Sequence, residues 1–296
     1  MSEAARAIDG ARTVHSGSAA RRELARRAVM NAVLLAISAV ALVPMAWMIS
    51  TSLKATGAEY DWPPRWIPDP IVLANYVNAH TTMDFPAYYR NTITISVATT
   101  LGAVLTSTMA AYAFARMRFV GRRVLFVVLL ATMMLPNIVT LIPTYIIFRT
   151  LGLINTLLPL IVPSFLGGGA FNIFLARQFF LSIPNELEEA ARIDGAGTFR
   201  IYGQIMLPLC GPLLAVIAIF TFLNHWTEFM GPLIYLNSDE MRTVALGVAL
   251  NKGVFAVKLN YLMAASAVMT VPVVVLFFAA QRYFMKGILL TGLAGR

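Results

Sequence analysis

The chain has 296 residues, 58% of them hydrophobic and only 12% charged, with a mean hydropathy of +0.72. A soluble domain carries about a quarter charged residues, so this composition excludes an ordinary globular fold and points to a polytopic membrane protein. The net charge of +9 does not imply nucleic acid, because the basic residues cluster beside apolar runs, where the positive-inside rule puts them.

Residues 1–27 are polar, with Ala, Ser, Gly and several Arg, and read as a mobile cytoplasmic tail. Arg21-Arg22 and Arg26-Arg27 then precede the first apolar run. No small-residue cleavage site follows it, so it reads as an anchor and not as a secretory signal. Six segments are apolar enough to cross a core of roughly 30 Å. They lie near 28–50, 92–114, 124–148, 156–179, 210–236 and 262–283. The fold class is therefore an all-α membrane protein of six transmembrane helices, with a membrane domain over 28–283 and a short C-terminal tail over 284–296.

Basic residues fix the orientation. Arg116, Arg118, Arg122 and Arg123 lie between spans two and three. Arg177, Arg192 and Arg200 lie around the connection between spans four and five, and Arg282 and Lys286 follow span six. Only Arg149 falls between spans three and four. All the basic segments share one side if both termini are cytoplasmic, in a multi-pass protein of the cell membrane.

Segment 51–91 is then outside. Trp62-Pro63-Pro64-Arg65-Trp66 and Pro68-Asp69-Pro70 favour an extended, rigid loop, and its aromatic residues suit a membrane–water boundary. Span two is rich in small and hydroxyl residues, among them Thr99, Gly102, Thr106, Ser107, Thr108, Ala110 and Ala111. Such residues let helix backbones approach in lipid, so this helix should be buried among others. Gly167-Gly168-Gly169 in span four predicts close packing against another helix, or a hinge.

The loop at about 181–208 is the most informative segment. Pro184 sits in the first turn expected of a short helix, and Glu186, Glu188 and Glu189 lie near its positive end. Glu188 and Arg192 are spaced for an i, i+4 pair. Gly195 stops the helix in a left-handed conformation, and Thr198 is placed to cap a second short helix through about Met206. Pro208 marks entry into span five. On the first helix Leu187, Ala190, Ala191 and Asp194 share one face, which two alanines make shallow. Helix–Gly–helix is a compact knob, either packed on its own domain or offered to a partner.

The spacing Glu189-Ala190-Ala191, Gly195, then Ile205-Met206-Leu207-Pro208 resembles the signature loop of ATP-binding-cassette (ABC) importer membrane subunits. The resemblance covers nearly the whole chain. It is carried by Ser52-Leu53-Lys54, Asn75-Tyr76, Ala110-Ala111-Tyr112-Ala113-Phe114-Ala115-Arg116, Phe119, Gly121-Arg122, Ile183-Pro184, Glu186 to Ala196, Gly287 and Thr291-Gly292. It looks like the carbohydrate-uptake branch, and within it the six-span permease similar to the second membrane subunit of maltose-type systems. That resemblance implies a homologous second permease, two ATP-binding cassette ATPase subunits and an extracellular sugar-binding protein. It also implies that Glu189, Ala190, Ala191, Asp194, Gly195, Ile205, Leu207 and Pro208 form an ATPase-docking loop. ATP and Mg would be bound by the partner ATPase, and this chain would be a non-catalytic subunit with no cofactor of its own. An alternative with the same architecture imports glycerol-phosphate or another polyol-like solute; an ATP-independent channel is a further alternative. Family members often carry Trp-Asn-Glu or Trp-Asn-Asp in span five, where this chain has Trp226-Thr227-Glu228.

Absent motifs agree with that division of labour. There is no phosphate-binding Gly-x-x-x-x-Gly-Lys-Ser/Thr loop and no zinc-protease His-Glu-x-x-His. His225 and Glu228 are only an i, i+3 pair without a third ligand, and no metal site is expected. The single cysteine, Cys210, carries no disulfide. The polar group Asn224, Trp226 and Glu228 interrupts the apolar run of span five. Polar residues inside a membrane helix face a bundle interior or water. These three are thus candidates for the translocation path, or for a polar contact that fixes helix packing.

Overall fold

A computed structural model describes the backbone of residues 3–81, 84–250 and 258–293, and the side chains of 23–81, 84–136, 138–250 and 258–281. The described chain is helical, joined by turns and short loops. Among the described residues, four helical stretches are long and apolar enough to cross a membrane: Glu23–Ser52, Phe85–Arg116, Leu158–Ser182 and Leu259–Gln281. A fifth crossing is available if the bent pair Thr198–Leu209 and Gly211–Trp226 is one span.

Helix α1 runs over Glu3–Ser52, so the region expected to be a mobile tail is helical from Glu3 onward. Good helix formers explain the extension. Glu23 adds support by pairing with Arg26 and Arg27 one turn on, at 3.3 and 3.1 Å. The apolar side chains of α1, such as Leu35 and Val40, remain exposed on the isolated chain. They require lipid or another subunit.

The segment expected to lie outside contains helix α2 (Ala74–Thr81) after its extended proline-rich part. Two sequence stretches, Ser52-Leu53-Lys54 and Asn75-Tyr76, meet here. Asn75 Nδ2 donates to the carbonyls of Ser52 and Lys54 at 2.9 and 2.7 Å, and the Ser52 and Tyr76 hydroxyls lie 2.8 Å apart. The Lys54 ammonium lies over the Trp47 ring at 4.0 Å. Burial pulls its pKa below the usual lysine value, opposed by the charges of Glu59 and Asp61.

Helix α3 (Phe85–Arg116) starts earlier than the apolar run because Asp84 caps it, Oδ1 accepting from Ala87 N at 3.2 Å, with Pro86 in the first turn. It is the central helix, packed against α6, α7 and α11, all defined below. Thr99, Ala103, Ser107, Thr108 and Ala111 are buried, as the small-residue pattern predicts. Thr106 spans the helix contact, its hydroxyl reaching Gly102 O at 2.8 Å and Ser164 O at 3.0 Å.

The expected third span is two helices, α4 (Arg122–Thr132) and α5 (Asn137–Thr150). The break falls at 133–136, where Pro136 disfavours helical geometry in the residue before it. The fourth is likewise divided into α6 (Leu158–Phe165) and α7 (Ala170–Ser182) by Gly167, Gly168 and Gly169, with φ of +115°, +66° and +92°. Close approach accompanies the break. A Cβ on Gly168 would stand 2.5 Å from the carbonyl oxygen of Ala103.

The connecting loop holds α8 (Glu186–Ile193), α9 (Thr198–Ile201), a π turn over Tyr202–Met206, and α10 (Leu207–Leu209). The direction changes by 80° into α11 (Gly211–Trp226). The segment expected as span five, 210–236, is thus not one helix: α11 ends at Trp226. A short helix α12 (Met230–Tyr235) follows, then α13 (Val244–Leu250). The last helix, α14 (Leu259–Leu293), passes through the expected boundary at 283 because no proline interrupts it after Pro272. Residues 294–296 of the expected tail lie outside the described residues.

Two apolar cores form at the two ends of α3. One contains Ala111, Tyr112, Ile173, Ala176, Phe180, Ala191, Ile201, Met206 and Ile217. The other contains Ala79, Phe85, Tyr88, Val244, Tyr261, Ala264 and Ala265.

Candidate coupling loop and pathway residues

Helix α8 starts at Asn185, whose carbonyl accepts from the amides of Glu188 and Glu189, both at 3.0 Å. Pro184 precedes this cap and does not occupy the first turn as expected. The far end is a Schellman motif: Gly195 N donates to Arg192 O at 3.0 Å and Ala196 N to Ala191 O at 2.9 Å. Gly195 has φ +79°, the left-handed geometry the sequence predicts. Gly197, and not Thr198, caps the next helix; no side chain caps it.

The faces of α8 differ in part from the sequence expectation. Leu187, Ala190 and Asp194 are exposed, but Ala191 is buried in the core and does not share their surface. Helical spacing explains this: Glu188 and Ala191 are one turn apart on the inward face. The outward face carries Glu186, Glu189 and Ala190, with Ile193 85% exposed. Phe199, 81% exposed, stands beyond the Gly195 turn. Ile205 and Leu207 are half-buried and Pro208 is exposed, while Ile201 and Met206 anchor the second helix in the core. The outcome is a knob fastened from below, with acidic and apolar residues on its open side.

Sequence spacing missed what fastens it. Arg116, the last residue of α3, and Glu188 have side chains only 7% and 8% exposed, and Arg116 Nε lies 3.2 Å from Glu188 Oε1. The guanidinium also donates to two carbonyls at the C-terminal end of α7: Phe180 O at 2.6 Å, which also accepts from Ile183 N at 3.3 Å, and Ile183 O. The predicted Glu188–Arg192 contact exists but is longer, 3.8 Å, and on the exposed side.

The pathway candidates are not one constellation. Trp226 is 2% exposed. Its ring stacks on Phe222 with centroids 5.5 Å apart, and Nε1 donates to Met269 O on α14 at 3.0 Å. It therefore packs α11 on α14, the second of the two roles its position allowed. Glu228 accepts from Gly231 N at 3.0 Å and so caps α12. Asn224 is exposed and is the residue of the three left facing away from the chain's own core. A further connection, between residues too far apart in sequence for any spacing rule, joins Asn155 to the segment after α12. Asn155, at φ +60°, accepts through Oδ1 from Asn237 N, Ser238 N and Ser238 Oγ at 2.9, 3.0 and 3.2 Å.

Among the described residues no three His, Cys, Asp or Glu side chains group as metal ligands.

Residues 76–289 match the family described as binding-protein-dependent transport system inner membrane component. The chain is 34% identical over 258 residues to the diacetylchitobiose uptake system permease protein of Streptomyces coelicolor, covering 86% of this chain and 85% of that protein. It is 32% identical over 285 residues to the trehalose/maltose transport system permease protein of Thermococcus litoralis, covering 93% and 99%. It is 38% identical over 205 residues to the sn-glycerol-3-phosphate transport system permease protein of Rhizobium meliloti, covering 68% and 71%. A solved bacterial ABC transporter involved in import of the acidic polysaccharide alginate superposes with a TM-score of 0.75 at 28% identity, over 86% of this chain and 95% of that one. The chain belongs to the binding-protein-dependent inner membrane components; it is a membrane-embedded permease subunit of an ABC importer.

Proposed function

We propose that this chain forms half of the translocation pathway of a sugar or oligosaccharide importer and couples it to ATP hydrolysis in separate subunits. The observation that carries this reading is the knob of α8 and α9: its outward face is open, its inward face is fixed to α3 and α7. Such a shape suits a cleft on a soluble motor. The complete assembly would add a homologous second permease, two ATP-binding cassette subunits that hold ATP and Mg, and an extracellular sugar-binding protein. Six crossings follow if α4 with α5, and α6 with α7, each count as one. The basic loops then put the knob and both termini on the cytoplasmic side.

In this mechanism, closure of the ATPase pair displaces the knob, and the helix bundle alternates its access. The displacement must favour one state, so the knob has to contact the motor differently in each. Asn224 is the pathway candidate with a free side chain; Glu228 contributes through the helix it caps. Relatives named for diacetylchitobiose and trehalose/maltose support the sugar class. Glycerol-phosphate is the second reading, supported by the Rhizobium relative.

The test is uptake into vesicles by the complete complex. Glu189→Lys reverses an exposed charge, and Gly195→Val strains a left-handed position by about 1–2 kcal/mol. Both should reach the membrane with the second permease and lose uptake. Normal uptake by both variants would contradict the coupling role. Retention of a sugar, and not of glycerol-phosphate, by the associated binding protein distinguishes the two solute classes.

A further inference from the structure

The Arg116–Glu188 contact lies behind the knob, away from the surface a motor would touch. It joins three helices. Arg116 ends α3, the carbonyls of Phe180 and Ile183 end α7, and Glu188 belongs to α8. Apolar packing of Ala111, Tyr112, Ile173, Ala176 and Phe180 already holds α3 against α7. The ion pair is therefore not needed to bring those two helices together. What it adds is a charged, buried link from α8 to the end of α3.

Helix α3 is 32 residues long, about 48 Å. Its opposite end holds the loop between α12 and α13. Tyr88 OH donates to Asp239 Oδ1 at 2.8 Å. Asn91 Nδ2 donates to Glu240 O and Arg242 O at 2.8 and 3.0 Å, and Thr92 Oγ1 accepts from Val244 N at 2.9 Å. One rigid helix thus runs from the ion pair at the knob to a hydrogen-bonded loop on the other side.

We propose that Arg116 is a positioning residue that, paired with Glu188, transmits displacement of the knob to α3 and through α3 to the loop at 236–244. This rests on the coupling role of the knob proposed above. Neither side chain need touch ATP, solute or the motor. The pair acts as a unit: losing Glu188 leaves the buried Arg116 guanidinium without a carboxylate, losing Arg116 leaves Glu188 only the longer contact to the exposed Arg192, and losing both removes the link without stranding Arg116.

The experiment uses the complete complex in vesicles, with Arg116→Gln, Glu188→Gln and the double variant. Three quantities are read: co-purification of the ATPase subunits, binding-protein-stimulated ATP hydrolysis, and ATP-dependent thiol labelling of Asn237→Cys from outside. Cys210 is buried, so the introduced thiol is the reactive one of this chain among the described residues. Co-purification should persist in all three variants. Each single variant should lose stimulated hydrolysis by about tenfold or more and abolish the ATP-dependent change in labelling. The double variant should be no worse than either single one, since residues acting as a unit are non-additive. Full stimulation and normal labelling in both single variants would overturn the proposal, as would losses that multiply in the double variant. If Arg116→Gln fails to assemble, Glu188→Gln decides alone: stimulation retained overturns the proposal, and stimulation lost with assembly intact supports it. Loss of co-purification in Glu189→Lys bears on the docking surface itself, so failure of that reading is seen separately.

Discussion

The two ends of α3 are fastened by different chemistry. At the knob end, an apolar core of alanines and aromatics surrounds one buried ion pair, Arg116 with Glu188. At the far end, neutral side chains Tyr88, Asn91 and Thr92 hold a loop through hydrogen bonds to one carboxylate and to backbone groups. A neutral hydrogen bond contributes about 1 kcal/mol and can break and re-form locally, whereas an unmatched buried charge costs about 3–5 kcal/mol. On the proposed coupling, the knob end moves as a body while the far end can exchange partners.

The largest expected effect comes from breaking the helix contact at the middle of α3, between its two ends. Gly168→Val would force a Cβ to within 2.5 Å of Ala103 O at a position with φ +66°. The strain and overpacking together cost roughly 3 kcal/mol or more, so α6 and α7 should lift from α3 and membrane yield should fall. Normal yield would show that this helix contact does not set the assembly.

Changes at the far end should be smaller and local. Asn155→Ala removes the acceptor for three donors and should cost about 1–2 kcal/mol, read as a lower melting temperature of the purified complex. Tyr88→Phe removes one bond to the exposed carboxylate of Asp239 and should cost about 1.5 kcal/mol, the low end for a bond to a charged group. If Tyr88→Phe destabilised more than Arg116→Gln, the proposed contrast between the ends would be reversed.

The smallest effect sharpens the reading of span five. Trp226→Phe keeps the ring against Phe222 but loses the bond to Met269 O, for about 0.5–1.5 kcal/mol. It should lower stability without changing the concentration for half-maximal uptake. Asn224→Cys, in contrast, should react with a polar thiol reagent in at least one transport state. Protection in every state would remove Asn224 from the pathway.

What could be read from sequence follows the range of the interaction. The Gly195 turn was legible because its Schellman bonds join residues within one local stretch, and glycine alone tolerates φ +79° without strain. Burial of α3 was legible because small residues have a direct consequence in lipid. Gly167–Gly169 marked their own break and close packing, whereas the break at Pro136 was hidden by counting apolar length alone. The inward turn of Ala191 depended on where the core lay, which α8 does not specify by itself. Arg116 and Glu188 lie on separate helices, and no spacing rule joins them. Trp226 allowed two roles from sequence, and only the position of Met269 on α14 chose packing.

The central claim, that the knob is the surface gripped by the motor, is tested most directly by thiol protection at Ala190. Ala190→Cys places a thiol on the exposed face of α8, while Cys210 stays buried. In inside-out vesicles the thiol should label readily when the permease pair is present alone, and become protected when the ATPase subunits are bound. Equal labelling with and without bound ATPase would contradict the account.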